Sequence, residues 1–402
     1  MTQLRTVQVL GGGSAGSSSH VRSLASGLVA RGVRVTVCAP AELDRLYDYL
    51  GAGAHFVPLP RLGDPATVTA LRNACIGADV VHAHGLQASV RAALALSAPC
   101  GGRSSAGSVS GGPALGGPAL GGPALGGPAL GGPTSGGSAS GGGRTPLVTT
   151  WHSRNHLDGA RGGVQRLLER RTVRAASVVL GTSSELVDRA RRRGARDARL
   201  APVTVPAARG PVCLHDGKAR AELGAVDRPL LIAVGALERG RGYGTLLDAA
   251  RSWRDLDPQP LLVIAGEGRE RAALQRRITA EGLAVRLIGR RDDVAELLAA
   301  ADVAVLPSRR EARSLLAQEA LRLGVPLVAT AVGGVPELVG DAAELVPYGD
   351  AAALAGAVRG LLEDADRRMD LAAAGRVQAG TWPTEDETVA HVLSVYDELA
   401  GR

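Results

Sequence analysis

Ten short apolar runs, each rich in β-branched or aliphatic residues and each separated from the next by a helical pattern, constrain this chain more than any other feature. Residues 6–10, 33–39, 78–83, 146–151 and 176–182 form one series; residues 229–235, 260–265, 285–289, 301–306 and 326–331 form a second. Near-continuous apolar strands separated by helices belong in parallel sheets covered on both faces. The expected fold is α/β, with two doubly wound domains facing each other across a cleft. After the first strand, His20, Val21, Leu24 and Leu28 recur at helical spacing before Gly32 closes the helix. The Pro-rich stretch 201–211 is the expected hinge, which gives a first domain over residues 1–205, a second over 206–380 and a closing helix within 381–402. In open α/β sheets ligands sit beyond the carboxyl ends of the strands, here in the cleft.

One segment stands outside this alternation. The pentad Gly-Gly-Pro-Ala-Leu repeats four times over residues 111–130, and residues 101–144 hold 18 of the 55 glycines and five of the 22 prolines. A five-residue period matches neither a solenoid nor collagen, and such a composition cannot bury enough surface to offset its ordering entropy. It is expected to be a disordered insertion in a surface loop.

Composition then narrows the function classes. A chain of 402 residues with 45% hydrophobic residues can bury more than one core, so a wholly disordered chain is excluded. No run reaches the roughly 18 apolar residues of a membrane span, and the start reads as the approach to a strand, so a soluble, cytoplasmic protein is expected. Cys38, Cys75, Cys100 and Cys213 lie far apart without a Cys-x-x-Cys pattern, and are expected to be reduced thiols, with no zinc site. Residues 1–210 carry 23 Arg against 10 Asp and Glu, while residues 211–402 carry 23 Lys and Arg against 29 Asp and Glu. The basic first half suits an anionic substrate or anionic lipid. Aromatics make up only 2% of the chain, too few for base stacking, so nucleic acid is not an expected partner.

Two motifs carry chemistry. Gly11-Gly12-Gly13-Ser14-Ala15-Gly16 joins the first strand to a helix and formally matches the dinucleotide fingerprint, but the acidic residue required about 20 residues on is missing at Val37-Cys38-Ala39-Pro40. What survives is a glycine turn that lets backbone N–H groups approach a phosphate, or merely a tight turn. In the second half, Pro307-Ser308-Arg309-Arg310-Glu311 is expected to enter a helix over residues 312–323, with Glu311 at its start and Glu319 eight residues on. Eight helical residues separate two carboxylates by about 12 Å. That is too far for a glycosidase pair, which needs roughly 5–9.5 Å. Two acceptors flanking free helix N–H groups instead suit a nucleoside diphosphate sugar. The plainer alternative is a dipole-complementing Glu311 and a surface ion pair at Glu319.

Together with these, Val234 to Gly242 (VGALERGRG), Ile264 to Gly268 (IAGEG), Gly289 to Asp293 and Val328 to Glu337 (VATAVGGVPE) follow an order and spacing that resembles the family-4 retaining glycosyltransferases of GT-B fold. The first half is similar to that family as well, at the glycine turn, at Asp79 to Gly85 (DVVHAHG) and at Val148 to His152 (VTTWH). The resemblance covers nearly the whole chain except the repeat. It implies two Rossmann-like domains, with the last helix packing back on the first. It also implies that Glu311 meets the transferred sugar's hydroxyls, Glu319 the ribose, and the amides of Leu315 and Leu316 the phosphate. By the same resemblance Arg241 neutralises the departing diphosphate, Arg291 marks the nucleobase, Gly12 and Gly13 approach the phosphate from the first domain, and His152 lies near the reacting sugar. His84 is read as a core or strand-end histidine.

Two departures from the family pattern stand out. Ala236 occupies the place of a customary Arg, for which Arg239 and Arg313 are the candidate substitutes, and Ala312-Arg313-Ser314 replaces a customary Gly-Phe-Gly. The function expected is metal-independent, retaining transfer of a hexose from a UDP- or GDP-type donor to a small-molecule or lipid acceptor, without a bound cofactor. The alternatives are a sugar-nucleotide epimerase of the same fold, or a sugar-nucleotide binder or partner protein without turnover. The Arg-rich run 189–199 is expected either to meet an anionic membrane peripherally or to form a solvated helix face.

Overall fold

The computed structural model describes residues 3–12, 15–60, 64–97, 144–152, 159–203 and 217–401. Gly13, nearly all of the repeat insertion, most of the expected hinge, Cys100 and Cys213 lie outside the described residues.

The first domain holds β1 (Arg5–Leu10), α1 (Ala15–Ala30), β2 (Arg34–Pro40), α2 (Ala41–Tyr47), β3 (His55–Leu59), α3 (Ala66–Ala74), β4 (Val80–His84), α4 (Leu86–Ser97), β5 (Leu147–Trp151), α5 (Gly159–Ala175), β6 (Val178–Gly181), α6 (Ser184–Arg192) and β7 (Ala198–Leu200). Its seven strands are all parallel, in the order β3-β2-β1-β4-β5-β6-β7. Apolar residues on alternate positions serve the two faces. Val7, Val9, Val81 and Ala83 pack with Leu71 of α3 and with Ala88 and Ala92 of α4, while Leu10, Val80 and Val148 pack with Leu24 and Leu28 of α1. The α1 expectation holds: Gly32, at φ 79°, ends the helix, and Val33 N–H donates to the Leu28 carbonyl at 3.0 Å.

The second domain continues with α7 (Gly217–Leu223), β8 (Leu230–Val234), α8 (Tyr243–Arg251), β9 (Leu261–Ala265), α9 (Arg271–Glu281), β10 (Val285–Gly289), α10 (Val294–Ala299), β11 (Val303–Leu306), α11 (Leu315–Leu323), β12 (Leu327–Thr330), α12 (Val335–Val339), β13 (Glu344–Val346), α13 (Ala351–Glu363) and α14 (Ala365–Gly380). Its six strands are again all parallel, in the order β10-β9-β8-β11-β12-β13. The order reverses between β1 and β4 in one sheet and between β8 and β11 in the other, and each reversal opens a crevice at the strands' carboxyl ends.

The apolar runs identify every interior strand. β3, β7 and β13 are additions, and all three are edge strands. β3 contains Pro58 and buries one residue of five, and β7 and β13 have three residues each. An edge strand needs neither a full ladder nor two covered faces, so it lacks the continuous apolar signature.

The last helix, α15 (Glu385–Ala400), opens with a capping box between Thr384 and Glu387. Its apolar face, Val389, Val392, Val395 and Tyr396, belongs to the first domain's core, whereas Trp382, just ahead of it, is buried in the second. Crossing α1 this closely requires Gly27, where a Cβ would stand 2.5 Å from Val389 Cγ2. Gly27→Leu should therefore lower stability by about 1–3 kcal/mol in urea unfolding through overpacking. Unchanged or raised stability would show that the crossing is not close-packed.

Candidate active site

The second-domain half of the site is built by two loops at the β8/β11 crevice. Gly242, at φ 76°, precedes α8, and a Cβ there would lie 1.8 Å from the Pro307 carbonyl oxygen. Only glycine lets the loop after β8 press against the loop after β11. That approach brings Arg241 to Glu311, and the two form an ion pair through Glu311 Oε1. Ser308 Oγ donates to the same oxygen at 3.0 Å. Burial pushes the Glu311 carboxyl above its usual range, with Arg241 and Ser308 opposing the shift. Arg241 is 34% exposed and Glu311 15%, so the pair is open to a ligand rather than sealed in the core.

Behind Glu311 stands the Gly-Gly of the VATAVGGVPE segment. At Gly333, φ 57°, a Cβ would sit 2.0 Å from the Glu311 carbonyl oxygen, and Gly334 N–H donates to that oxygen at 3.1 Å. Glu337 of the same segment accepts from Ser184 N–H of the first domain at 2.8 Å. The motif is thus a buttress for the Glu311 loop and a joint between domains.

The expected helix over 312–323 starts later, at Leu315, and Glu311 lies in the loop before it. Ser314 is the reason: its side chain caps the helix by accepting from Ala317 N–H at 3.3 Å. The helical spacing between Glu311 and Glu319 therefore does not apply. Leu315 and Leu316 open the helix, and their N–H groups have no intrahelical acceptor. Glu319 lies half-buried in the next turn, its carboxyl raised by burial against the opposing charge of Arg322. Across the cleft, a Cβ at Gly16, in the first turn of α1, would be 3.2 Å from Leu315 Cδ2. The amino ends of α1 and α11 thus meet, with Gly12 exposed at φ 84° beside them. Gly13 falls outside the described residues.

Three arginines singled out in the sequence do not join this group. Arg239 is 93% exposed and stands 3.5 Å from Glu270. Arg291 is held by both oxygens of Asp293. Arg313 donates to the Val203 carbonyl at 2.9 Å and lies 5.8 Å from the centroid of the Trp382 ring, with burial lowering its pKa to about 10. Arg239 and Arg313 are both engaged away from the Arg241–Glu311 pair, and Ala236 is itself exposed. The Ala312-Arg313-Ser314 departure is absorbed as structure: Ala312 is buried with Trp151, Val173 and Leu186 of the first domain, Arg313 clamps the domain connection, and Ser314 caps α11.

His152 follows β5 at the first-domain side of the cleft. It is not alone there. His84 Nδ1 lies 3.2 Å from its Nε2, and the His20 ring is 5.5 Å away between centroids. Burial holds all of these imidazoles neutral, with His20 lowered to about 4 and His84 and His152 well below the ordinary value. Among the described residues, no group of three or more His, Cys, Asp or Glu is arranged to hold a metal ion. No helix among them is long and apolar enough to cross a membrane. Most of the Arg-rich run 189–199 is spent internally: Arg189 and Arg193 clamp the buried Glu169 at 2.7 and 2.8 Å, Arg191 faces Asp188 at 3.5 Å, and Arg199 joins Asp197 to Glu398. Cys38 and Cys75 are free, buried thiols.

Comparison with known proteins fits this architecture. Residues 216–378 match the family described as glycosyl transferases group 1, residues 14–104 match glycosyltransferase family 4, and residues 129–206 match a glycosyl transferase 4-like domain. The chain belongs to the family-4 glycosyltransferases. Among curated relatives, the 2-deoxystreptamine N-acetyl-D-glucosaminyltransferase of Streptomyces fradiae is 32% identical over 44% of this chain and 43% of its own length. The alpha-D-kanosaminyltransferase of Streptomyces kanamyceticus is 29% identical over 56% of this chain and 64% of its own length. The chain thus spans less than two thirds of these relatives. Anabaena HepE, solved with UDP, superposes with a TM-score of 0.72 over 99% of this chain and 100% of its own, at 19% identity. WaaG, a glycosyltransferase involved in lipopolysaccharide biosynthesis, superposes at 0.67 over 99% and 100%, with 17% identity. Both likenesses establish the GT-B fold of this chain.

The raised Glu311 carboxyl sets a pH test. A folded-state value above the unfolded one favours folding while the group is protonated, and that advantage is lost as pH rises through the raised value. Arg241→Ala removes the opposing charge and raises the carboxyl further. The variant should lose about 1.5–3 kcal/mol relative to the parent near pH 8, and less near pH 5. In a Glu311→Gln background the pH dependence of that difference should vanish in urea unfolding; its persistence would mean that another group is responsible.

Proposed function

We propose that this glycosyltransferase moves a hexose from a nucleotide diphosphate sugar of UDP or GDP type to an acceptor bound mainly by the basic first domain, with retention at the anomeric carbon. The observation that supports it most is the grouping of Arg241, Glu311 and the opening amides of α11 at one crevice, facing the amino end of α1. A guanidinium has five N–H donors. Arg241 can therefore keep Glu311 oriented toward the sugar hydroxyls while turning other donors to the departing diphosphate. The amides of Leu315 and Leu316 add the positive end of a helix dipole, Gly12 closes on the phosphate from the other side, and Glu319 accepts from the ribose. Arg291 marks the nucleobase end through its backbone, since its side chain belongs to Asp293. Arg239, as exposed as it is, joins the donor only if the loop closes over it.

In the reaction, the bond from the anomeric carbon to the diphosphate oxygen breaks, and the acceptor oxygen bonds to that carbon on the same face. The acceptor's proton passes to the departing phosphate oxygen. The chain's part is electrostatic: Arg241 and the helix amides stabilise the charge that develops on the leaving group, and domain closure excludes water. This assigns the cationic work to the protein and calls on no metal or further cofactor. A lipid-borne acceptor at an anionic surface would meet Arg192 and Arg196, exposed beside the arginines already paired.

A thermal-shift series with UDP, GDP, ADP and their hexose derivatives tests the donor site, because a ligand that binds only the folded state raises its apparent stability. A shift selective for one nucleotide, lost in Glu319→Ala, is expected. No shift at saturating concentration would overturn the donor-site reading. A shift without transfer to any acceptor would favour a binder without turnover.

A further inference from the structure

The first sheet buries a polar stripe on the face covered by α1 and α15. Gln8 pairs with His82 in register and His84 with Thr150, so Gln8, His82, His84 and Thr150 all point to that face, with His152 two residues beyond Thr150. Five hydrogen bonds run through it. His152 Nε2 lies 3.2 Å from His84 Nδ1, and His84 Nε2 lies 3.0 Å from Gln8 Oε1. Gln8 Nε2 donates to Tyr396 Oη at 2.9 Å, Tyr396 Oη lies 2.6 Å from His82 Nδ1, and His82 Nε2 lies 2.6 Å from Thr150 Oγ1.

With the Gln8 amide as placed, this chain has one proton order. Gln8 Oε1 is a carbonyl oxygen and only accepts, so the proton of His84 is on Nε2 and its Nδ1 has a lone pair. That lone pair faces His152 Nε2, which must therefore carry the His152 proton. In the other direction, the Tyr396 hydroxyl accepts from Gln8, and giving its own proton to His82 Nδ1 leaves His82 Nε2–H to donate to Thr150. The rings are neutral, so each holds a single proton and fixes the next. Turning the Gln8 amide over would reverse the whole chain, which makes Gln8 and its Tyr396 partner the point of control.

We propose that Gln8, His84 and Tyr396 are positioning residues that hold His152 as its Nε2–H tautomer, leaving Nδ1 as a hydrogen-bond acceptor for a hydroxyl of the bound sugar or acceptor. The tautomer itself is a property of the free protein; its use in transfer rests on the transferase reading above. The last helix then contributes to the site through Tyr396, although it comes from the far end of the chain.

The test has two arms. In protein labelled with nitrogen-15 at histidine, the two ring nitrogens of His152, assigned by loss of its signals in His152→Ala, should show protonation at Nε2, and those of His84 likewise. In Tyr396→Phe, which keeps the ring but removes the hydroxyl that orients Gln8, and in Gln8→Leu, the Nδ1–H form of His152 should gain population. Once a donor is known, both variants should lower kcat on the order of tenfold, the size of one hydrogen bond, with the nucleotide thermal shift retained as the check on folding. A His152 proton on Nδ1 in the parent protein, or an unchanged tautomer in both variants, would overturn the proposal. The labelling arm needs no substrate, so its failure is distinct from failure of the transferase reading, which shows as a missing nucleotide shift.

Discussion

The backbone approach of Gly242 to the Pro307 carbonyl fixes where the charged groups of the cleft can stand. A methyl group at that position would force the two loops of the β8/β11 crevice apart. Because the loops touch, Arg241 reaches Glu311 from the neighbouring strand's loop, over 70 residues of sequence, and a carboxyl that burial pushes upward is kept beside an opposing cation. Gly333 repeats the device from the other side, with its φ of 57° and its contact on the Glu311 carbonyl. The glycines therefore act as position, and the charges act through them.

The second dependence is the joint between domains. Ala312 enters the first domain's apolar cluster, Glu337 accepts from Ser184, and Arg313 ties Val203 to the Trp382 ring. These contacts flank the Glu311 loop and the first turn of α11, so that loop is shaped by the first domain as well as by its own. A departure from the family pattern at Ala312-Arg313-Ser314 is thereby consistent with an intact site. The missing cation at Ala236 is different in kind. Arg239 and Arg313 are engaged elsewhere, and under the proposed function Arg241 carries more of the leaving group's neutralisation.

The fold was legible because buried parallel strands need continuous apolar runs, and ten such runs stand out. The edge strands β3, β7 and β13 were not, because one-sided burial leaves no such run. In the site, the glycine turn, Arg241, Glu311 and the α11 amides could be named from spacing and resemblance, but not the start of α11. Reading through Ala312 and Arg313 as helix overlooked Ser314, whose preference for the cap outweighed continuation of the apolar pattern. The partners of Arg239, Arg291 and Arg313 were not legible either. A sequence shows a cation but not the carboxylate or carbonyl that holds it, and each of these three is engaged away from the Arg241–Glu311 pair.

The histidines went unrecognised as a group for a related reason. Taken singly, His82, His84 and His152 are ordinary strand-end residues. Taken with the two-residue period of a strand, His82 and His84 share a face, as do Thr150 and His152, and only the parallel register of β4 and β5 puts the two pairs side by side. A buried polar stripe of this kind is tolerated only when its members are satisfied. Gln8 and His82 find a partner above the sheet in Tyr396 of α15, with its hydroxyl between the two. The last helix is therefore more than an apolar cover. Its valines fasten it to the first domain, and Tyr396 closes a hydrogen-bond chain that ends at His152. The pairing of Gln8 and His82 inside the first sheet thus reaches from the end of the chain to the cleft.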